Sequence, residues 1–163
     1  MSQTETLEFG VIAIIKANRI NIYPATRIEM ELQIVSEKDD ELRAAYLEML
    51  EGCILHPDEW EWYTMWIIEL YNGVRIGDLC FKGLASSGIV EIGYGILEEY
   101  QGQGYATEAV KVVTDWAFQS SKVVAIEAET DAQNTASQRV LEKCGFIANG
   151  EWGNEGPRFV LSR

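Results

Sequence analysis

Two glycines that precede a helical pattern form the stretch of this sequence most able to do chemistry. Gly102 and Gly104 follow an apolar run at residues 89–96. After them, apolar residues recur at spacings of four, three and four between residues 106 and 117, which is typical of one face of an α-helix. A glycine turn at a helix N-terminus can bind a phosphate, because unpaired N–H groups and the positive end of the helix dipole face the anion.

Two well-known phosphate-binding patterns fit this loop poorly. The sequence has no G-x-x-x-x-G-K-[ST] run, which a Walker loop requires. The dinucleotide pattern G-x-G-x-x-G matches at Gly102 and Gly104 but meets Thr107 where the third glycine should stand. Glu127 lies near the right distance downstream to bind a ribose, so a dinucleotide-binding protein remains an alternative. A loop that only turns the chain would also use glycine.

A third pattern, Q/R-x-x-G-x-G/A, matches from Gln101 to Ala106. This segment resembles the acetyl-coenzyme A loop of the GNAT N-acetyltransferase superfamily. Residues 91–94, 134–137 and 141–146 then follow the family's motifs in order and spacing. The resemblance covers residues 88–148 and is strongest to the branch that acetylates the N-termini of ribosomal proteins.

The resemblance implies an α+β fold with a mixed, bent and splayed β-sheet and helices on both of its faces. One N-acetyltransferase domain is expected over residues 1–163, a length that suits a single domain. Residues 1–18 lie outside the family pattern and could add an N-terminal strand.

Acetyl-coenzyme A is the cosubstrate that the resemblance implies. Ile96 and Leu97 are the expected backbone partners of its pantetheine arm, and an N–H group there could polarise the thioester carbonyl. Asn134 is expected to cap the next helix and also to touch the pantetheine arm, although the cap alone would explain it. The loop residues expected to bind the coenzyme are Gln101, Gly102, Gln103, Gly104, Tyr105, Ala106 and Thr107.

Glu91 and Ser137 are the candidates for proton transfer. Glu91 lies inside an apolar strand pattern, where burying a charge needs a reason, and a carboxylate could take the proton of an attacking amine. It could equally face solvent or pair with a cation. Many family members carry a Tyr acid where this chain has Leu141, so the related branch implies Ser137 as the acid for the leaving thiolate. Ser137 could instead only satisfy backbone groups in the first helical turn.

Charge and composition limit the partners. The formal net charge of −13 disfavours nucleic acid and favours a cationic amine, unless the acidity serves only solubility. The acidic and aromatic residues 58–63 could hold an ammonium group, or their tryptophans could pack in the core. The three cysteines form no C-x-x-C pair, so no metal site is expected. No apolar run is long enough to span a membrane, and a cytoplasmic monomer or homodimer is expected.

Apolar periodicity and turn residues predict the other elements. Residues 1–5 are expected to be unstructured, Ser36 is expected to cap the helix at 39–51, and Asn72-Gly73 predicts a hairpin. The predicted strands are 7–16, 19–23, 65–71, 74–81, 89–96, 123–129 and 159–161, and the further helices are 27–35, 39–51 and 134–143.

The predicted function is acetyl transfer from acetyl-coenzyme A to a primary amine, by direct attack in a ternary complex. The amine could be a protein N-terminus or a small molecule. Because the Tyr acid is missing, a non-catalytic acyl-coenzyme A sensor or partner-binding module is the alternative from another class.

Overall fold

The computed structural model describes residues 3–6 and 13–163 of the chain. In these residues one mixed sheet has the strand order β1-β2-β3-β4-β5-β6-β7-β9-β8. The strands are β1 Gln3–Thr6, β2 Ala13–Lys16, β3 Ile20–Pro24, β4 Met65–Leu70, β5 Arg75–Phe81, β6 Ile89–Ile96, β7 Ala125–Glu129, β8 Ile147–Trp152 and β9 Pro157–Ser162.

Helices cover both faces of this sheet. Trp66 and Ile68 of β4 pack in the core that contains α4, whereas Met65 and Ile67 pack with α1 and α2. Alternate strand residues face opposite sides, so the two helix groups lie on opposite faces, as predicted. The helices are α1 Arg27–Ser36, α2 Asp40–Leu55, α3 Trp60–Tyr63, α4 Tyr105–Phe118 and α5 Thr135–Lys143, with 3₁₀ turns at Pro57–Glu59 and Glu98–Tyr100.

The sheet splays between β6 and β7. Their parallel pairing spans only three residue pairs, from Ile89 opposite Ala125 to Glu91 opposite Glu127. β6 then continues to Ile96 along its other neighbour, β5. The resulting cleft opens at the carboxyl ends of the parallel strands, which is where ligands bind in sheets of this kind.

The helix after the glycine loop buries three of the four residues that its periodicity predicts, Val110, Val113 and Ala117, whereas Ala106 is only partly buried. Its buried stripe comprises Ala109, Val110, Val113 and Ala117. Trp62 and Trp66 both pack against Trp116 of the same helix, with ring centroids 4.9 and 4.8 Å apart. The tryptophans near residue 60 therefore build the core, and Trp62 is only 7% exposed.

Two local predictions are wrong, one is described only in part, and one strand was not predicted. Gln3–Thr6 forms a strand paired with β2, whereas residues 1–5 were expected to be unstructured. Of the strand predicted at residues 7–16, the segment 7–12 lies outside the described residues and Ala13–Lys16 is β2. The cap of α2 is Asp39, whose carboxylate accepts from Leu42 N at 3.0 Å, so the cap prediction for Ser36 is wrong. β8 was not predicted, because all six of its residues are exposed and lack an apolar alternation.

A helix must be long and strongly apolar to span a membrane. None within the described part of the chain is both long and apolar enough to cross a bilayer.

Candidate active site

The glycine loop has the backbone conformation that its sequence predicts. Gly102 and Gly104 have φ of +74° and +85°, a left-handed region that residues with a Cβ rarely adopt. Gly104 is the N-cap of α4, and no side chain of the described residues caps this helix. The N–H groups of its first turn therefore remain available to an anion.

A cavity of about 410 Å³ lies between the end of β6, this loop and α5. Nine of the twelve predicted site residues line it: Ile96, Gln101, Gly102, Gly104, Tyr105, Ala106, Thr107, Asn134 and Ser137. Within the described part of the chain, the lining does not include Glu91, Leu97 or Gln103. The fold thus brings the loop, the end of β6 and the start of α5 around one space.

The backbone of β6 distinguishes Ile96 from Leu97. Lys82 N donates to Glu91 O at 3.0 Å, and Leu97 N donates to Ile76 O at 2.8 Å. Odd-numbered residues of this segment therefore direct their backbone groups to β5, and even-numbered ones to the splayed side. The backbone N–H of Ile96 therefore faces the splayed side, whereas the Leu97 N–H is already engaged by Ile76 O and is not available as an oxyanion donor.

Gln101 contributes a contact that its sequence pattern did not show. Its amide Nε2 donates to the carbonyl of Ile96 at 2.8 Å. The loop is thereby fastened to the end of β6, next to the backbone that a pantetheine arm would meet.

Ser137 is paired with Tyr94 inside the cavity. Asn134 caps α5, and its Oδ1 accepts from Ser137 N at 3.0 Å. This contact leaves the Ser137 hydroxyl free of the helix, and its Oγ lies 2.8 Å from Tyr94 Oη. The one hydrogen of the Tyr94 hydroxyl can be donated to this Oγ or to Ser137 O, which lies 3.1 Å away. Burial raises the pKa of Tyr94 above its ordinary value of 10.0, so the hydroxyl stays protonated at neutral pH.

Tyr94 is the functional candidate that the sequence prediction missed. Tyr94 belongs to the motif at residues 91–94, and the alternation of buried and exposed residues along β6 places its side chain on the buried face. Val90 and Ile92 are buried against α4, and Tyr94 is the next residue on that face. A hydroxyl at the end of a buried stripe usually has a hydrogen-bond partner.

Glu91 occupies the opposite face and is held by two cations. Its carboxylate lies 3.2 Å from Arg158 Nη1 and 3.3 Å from Lys82 Nζ. Arg158 also pairs with Glu127 at 2.8 Å and Glu129 at 3.0 Å. The side-chain hydrogen bond with Glu127 raises the pKa of the Arg158 guanidinium, which keeps it charged. Glu91 therefore has the ion-pair role that was its alternative, and Glu127 is engaged rather than open to a ribose.

Asp78 is a second carboxylate, on the neighbouring strand β5. It lies directly opposite Gly95 in the pairing of β5 with β6, and Gly95 lines the cavity. A Cβ on Gly95 would meet no described atom within 4 Å, so the space beside Asp78 is open. Arg75 Nη2 binds the Asp78 carboxylate at 3.0 Å. Burial raises the pKa of this carboxyl, and Arg75 opposes that shift.

Cationic side chains gather at the outer rim of the cavity in a chain with a net charge of −13. Arg139 and Lys143 of α5 line it, and Arg19 contacts the glycine loop through Gln103 O at 2.9 Å. Free N–H groups together with cations suit a polyanionic ligand.

The chain matches a family model described as the acetyltransferase (GNAT) domain over residues 24–147. Among curated proteins, it is 36% identical over 89 residues to the uncharacterized N-acetyltransferase YjdG of Bacillus subtilis. That match covers 53% of this chain and 53% of YjdG, so the chain spans about half the length of this relative.

Solved structures share the fold. A ribosomal-protein-S5-alanine acetyltransferase from Vibrio fischeri superposes with a TM-score of 0.70 at 16% identity, covering 92% of this chain and 95% of that one. A Vibrio cholerae spermidine N-acetyltransferase chimera gives 0.68 at 16%, covering 89% and 96%. At such identities the likeness shows the architecture alone.

Proposed function

The chain belongs to the GNAT acetyltransferase domain family, and from that premise we propose that it transfers acetyl from acetyl-coenzyme A to a primary amine. The amine attacks directly in a ternary complex. The observation that carries this proposal is the Tyr94–Ser137 hydroxyl pair, 2.8 Å apart, in the cavity beneath an uncapped glycine loop. Such a site combines anion binding with a proton donor.

The residues present fit the coenzyme. The N–H groups from Gly102 to Thr107 would hold its pyrophosphate, and Arg139 and Lys143 would face its phosphates. The Ile96 backbone would pair with the pantetheine arm beside Asn134. The left-handed φ of Gly104 matters here, because a residue with a Cβ would be strained in this conformation and would distort the loop.

In the proposed reaction the amine nitrogen forms a bond to the thioester carbonyl carbon, and the carbon–sulfur bond breaks. Ser137 gives its hydroxyl proton to the leaving thiolate and regains a proton from water, while the proton lost by the amine passes to Asp78. The single Tyr94 hydroxyl hydrogen is within reach of both Ser137 O and Ser137 Oγ, and the proposed reaction requires that it is donated to Oγ, which directs the serine hydrogen away from Tyr94. Tyr94 thus positions the proton that Ser137 delivers.

Asp78 is the proposed proton acceptor for the amine. An ammonium group must lose a proton before it can attack, and a carboxylate with a raised pKa is a stronger base than an ordinary one. Asp78 also lies beside the open space at Gly95, whereas Glu91 is engaged by Arg158 and Lys82. We therefore propose Asp78 rather than Glu91 as the base.

We propose a cationic acceptor, and its support is the charge of the whole chain. Glu59 of the acidic and aromatic segment pairs with Lys122 at 3.5 Å, and Trp62 is buried, so that segment is a weaker candidate for an ammonium site. Both structures compared above are named for amine acceptors, a ribosomal-protein alanine and spermidine. A net charge of −13 attracts cations over the screening length of about 8 Å at physiological ionic strength.

The test is release of free thiol from acetyl-coenzyme A with a panel of cationic, neutral and acidic amines. We expect cationic amines to give the highest kcat/KM and to lose that advantage as salt is added. Ser137→Ala should lower kcat about 100-fold while leaving coenzyme affinity intact. Coenzyme binding without thiol release for any amine would favour the non-catalytic sensor.

A further inference from the structure

Arg19 reaches the glycine loop from the turn between β2 and β3, far away in sequence. Its Nη1 donates to Gln103 O at 2.9 Å, and its guanidinium carbon lies 4.2 Å from the centre of the Tyr105 ring. Its Nε and backbone N–H both reach the Glu108 carboxylate, at 3.3 and 3.2 Å. One side chain therefore contacts the loop and the first turn of α4 together.

The negative charge of Glu108 is unfavourable for a phosphate bound at the start of α4. It is the acidic residue of the first turn of α4, and its side chain is only 13% exposed. A carboxylate there is favourable to the isolated helix, but it competes with any other anion for the same helix terminus. A largely buried negative charge is also poorly screened by salt.

The backbone carbonyl of Gln103 is a second group that could repel a phosphate bound to the loop. It lies between the two left-handed glycines, Gly102 and Gly104, in the segment where N–H groups must face the ligand. A carbonyl oxygen turned toward a phosphate would repel it. The bond from Arg19 Nη1 holds this oxygen toward the guanidinium.

We propose that Arg19 is a positioning residue for the coenzyme loop, which neutralises Glu108 and holds the Gln103 carbonyl so that a polyphosphate can bind at the start of α4. This inference rests on the proposed coenzyme site. It adds to that site a residue from the N-terminal part of the sheet.

The experiment measures the Kd of coenzyme A by calorimetry for the wild type and four variants. Arg19→Ala should weaken binding about tenfold, because the Glu108 charge is then uncompensated near the phosphates. Glu108→Gln alone should bind coenzyme A at least as tightly as the wild type. The double variant Arg19→Ala/Glu108→Gln should return to within about threefold of the wild type.

Arg27→Ala is the matched control. It removes the same charge from an exposed pair with Glu31, 2.8 Å apart and distant from the loop, and should change the Kd less than about twofold. An equal effect of Arg19→Ala and Arg27→Ala would overturn the proposal, as would a double variant as weak as Arg19→Ala. If Arg19→Ala fails to fold, weaker binding by Glu108→Gln alone would overturn it.

This measurement is separable from the test of the transfer reaction. If the wild type binds coenzyme A but acetylates no amine, the proposed function fails while the Kd series still decides the role of Arg19. If the Kd values are equal in all variants, the role of Arg19 fails while transfer activity is untouched.

Discussion

The two faces of β6 carry different functional groups: hydroxyl groups on one face and ion-paired carboxylates on the other. On the face toward α4 and α5, Tyr94 ends an apolar stripe and pairs with the Ser137 hydroxyl. On the opposite face, Glu91 is fixed by Arg158 and Lys82, and Asp78 of the neighbouring strand lies beside Gly95. A neutral donor on one side and carboxylates on the other suit a reaction that protonates a thiolate and deprotonates an amine.

Glu91 and Asp78 look equivalent in the sequence but differ in their ion-pair partners in the structure. Glu91 and Asp78 both interrupt apolar strands, and both have a cationic partner. Glu91 has two such partners, and Arg158 is shared with two further glutamates. Asp78 has a single arginine in the ion pairs described, and it lies next to open space. The difference favours a structural role for Glu91 and supports the proposal that Asp78 is the base.

The largest expected effect is that of Asp78→Asn. Removal of the base should lower kcat about 100-fold at neutral pH, and high pH should restore much of the rate because the amine then loses its proton unaided. In the wild type, kcat should rise with pH through the raised pKa of the Asp78 carboxyl, since only its ionised form accepts a proton.

Asp40→Asn is the control for that measurement. It removes the same charge from a residue that is 92% exposed and paired with Arg43 on α2. The pH–rate profile of this variant should match that of the wild type. A profile for Asp78→Asn that also matches the wild type would remove Asp78 from the mechanism.

Tyr94→Phe tests the other face and should have a smaller effect. Losing one hydrogen bond to Ser137 should lower kcat about tenfold and leave the KM for acetyl-coenzyme A nearly unchanged. Because burial raises the pKa of Tyr94 above 10.0, the loss should be constant from neutral pH up to that value. Tyr71→Phe, at a residue 57% exposed, is the control for removing a tyrosine hydroxyl elsewhere. A KM effect without a kcat effect would show that Tyr94 only shapes the cavity.

The sequence predicted the parts of this site that depend on local pattern. The glycine loop, the buried stripe of α4 and the Asn134 cap follow from residues close together in the chain, and the structure contains all three. The family match over residues 24–147 agrees with the family inferred from those motifs.

The missed features depend on residues far apart in the chain. Tyr94 and Ser137 are 43 positions apart, Glu91 and Arg158 are 67 apart, and Arg19 and Glu108 are 89 apart. Spacing along one strand shows that Glu91 interrupts an apolar pattern, but it cannot show which cation the carboxylate meets. Edge strand β8 was missed for a related reason, since an exposed strand needs no apolar alternation.

The smallest expected catalytic effect is that of Glu91→Gln, which decides between the two carboxylates. If Glu91 serves the ion-pair cluster, the change should lower kcat less than about threefold, far below the loss expected from removing a general base. It should instead lower the free energy of unfolding by about 1 kcal/mol, because the carboxylate is 22% exposed and contacts both Arg158 and Lys82. Chemical denaturation followed by fluorescence measures this change.

Glu31→Gln removes the same charge from the exposed Arg27 pair and should alter stability by less than about 0.5 kcal/mol. The ratio of the two stability changes tests whether burial at the splay between β6 and β7 strengthens the Glu91 contacts. A fall of about 100-fold in kcat for Glu91→Gln, with unchanged stability, would return the base to Glu91 and leave Asp78 as a partner of Arg75 only. A large fall in kcat is expected for Asp78→Asn and a small one for Glu91→Gln, so measuring kcat for both variants distinguishes the two assignments.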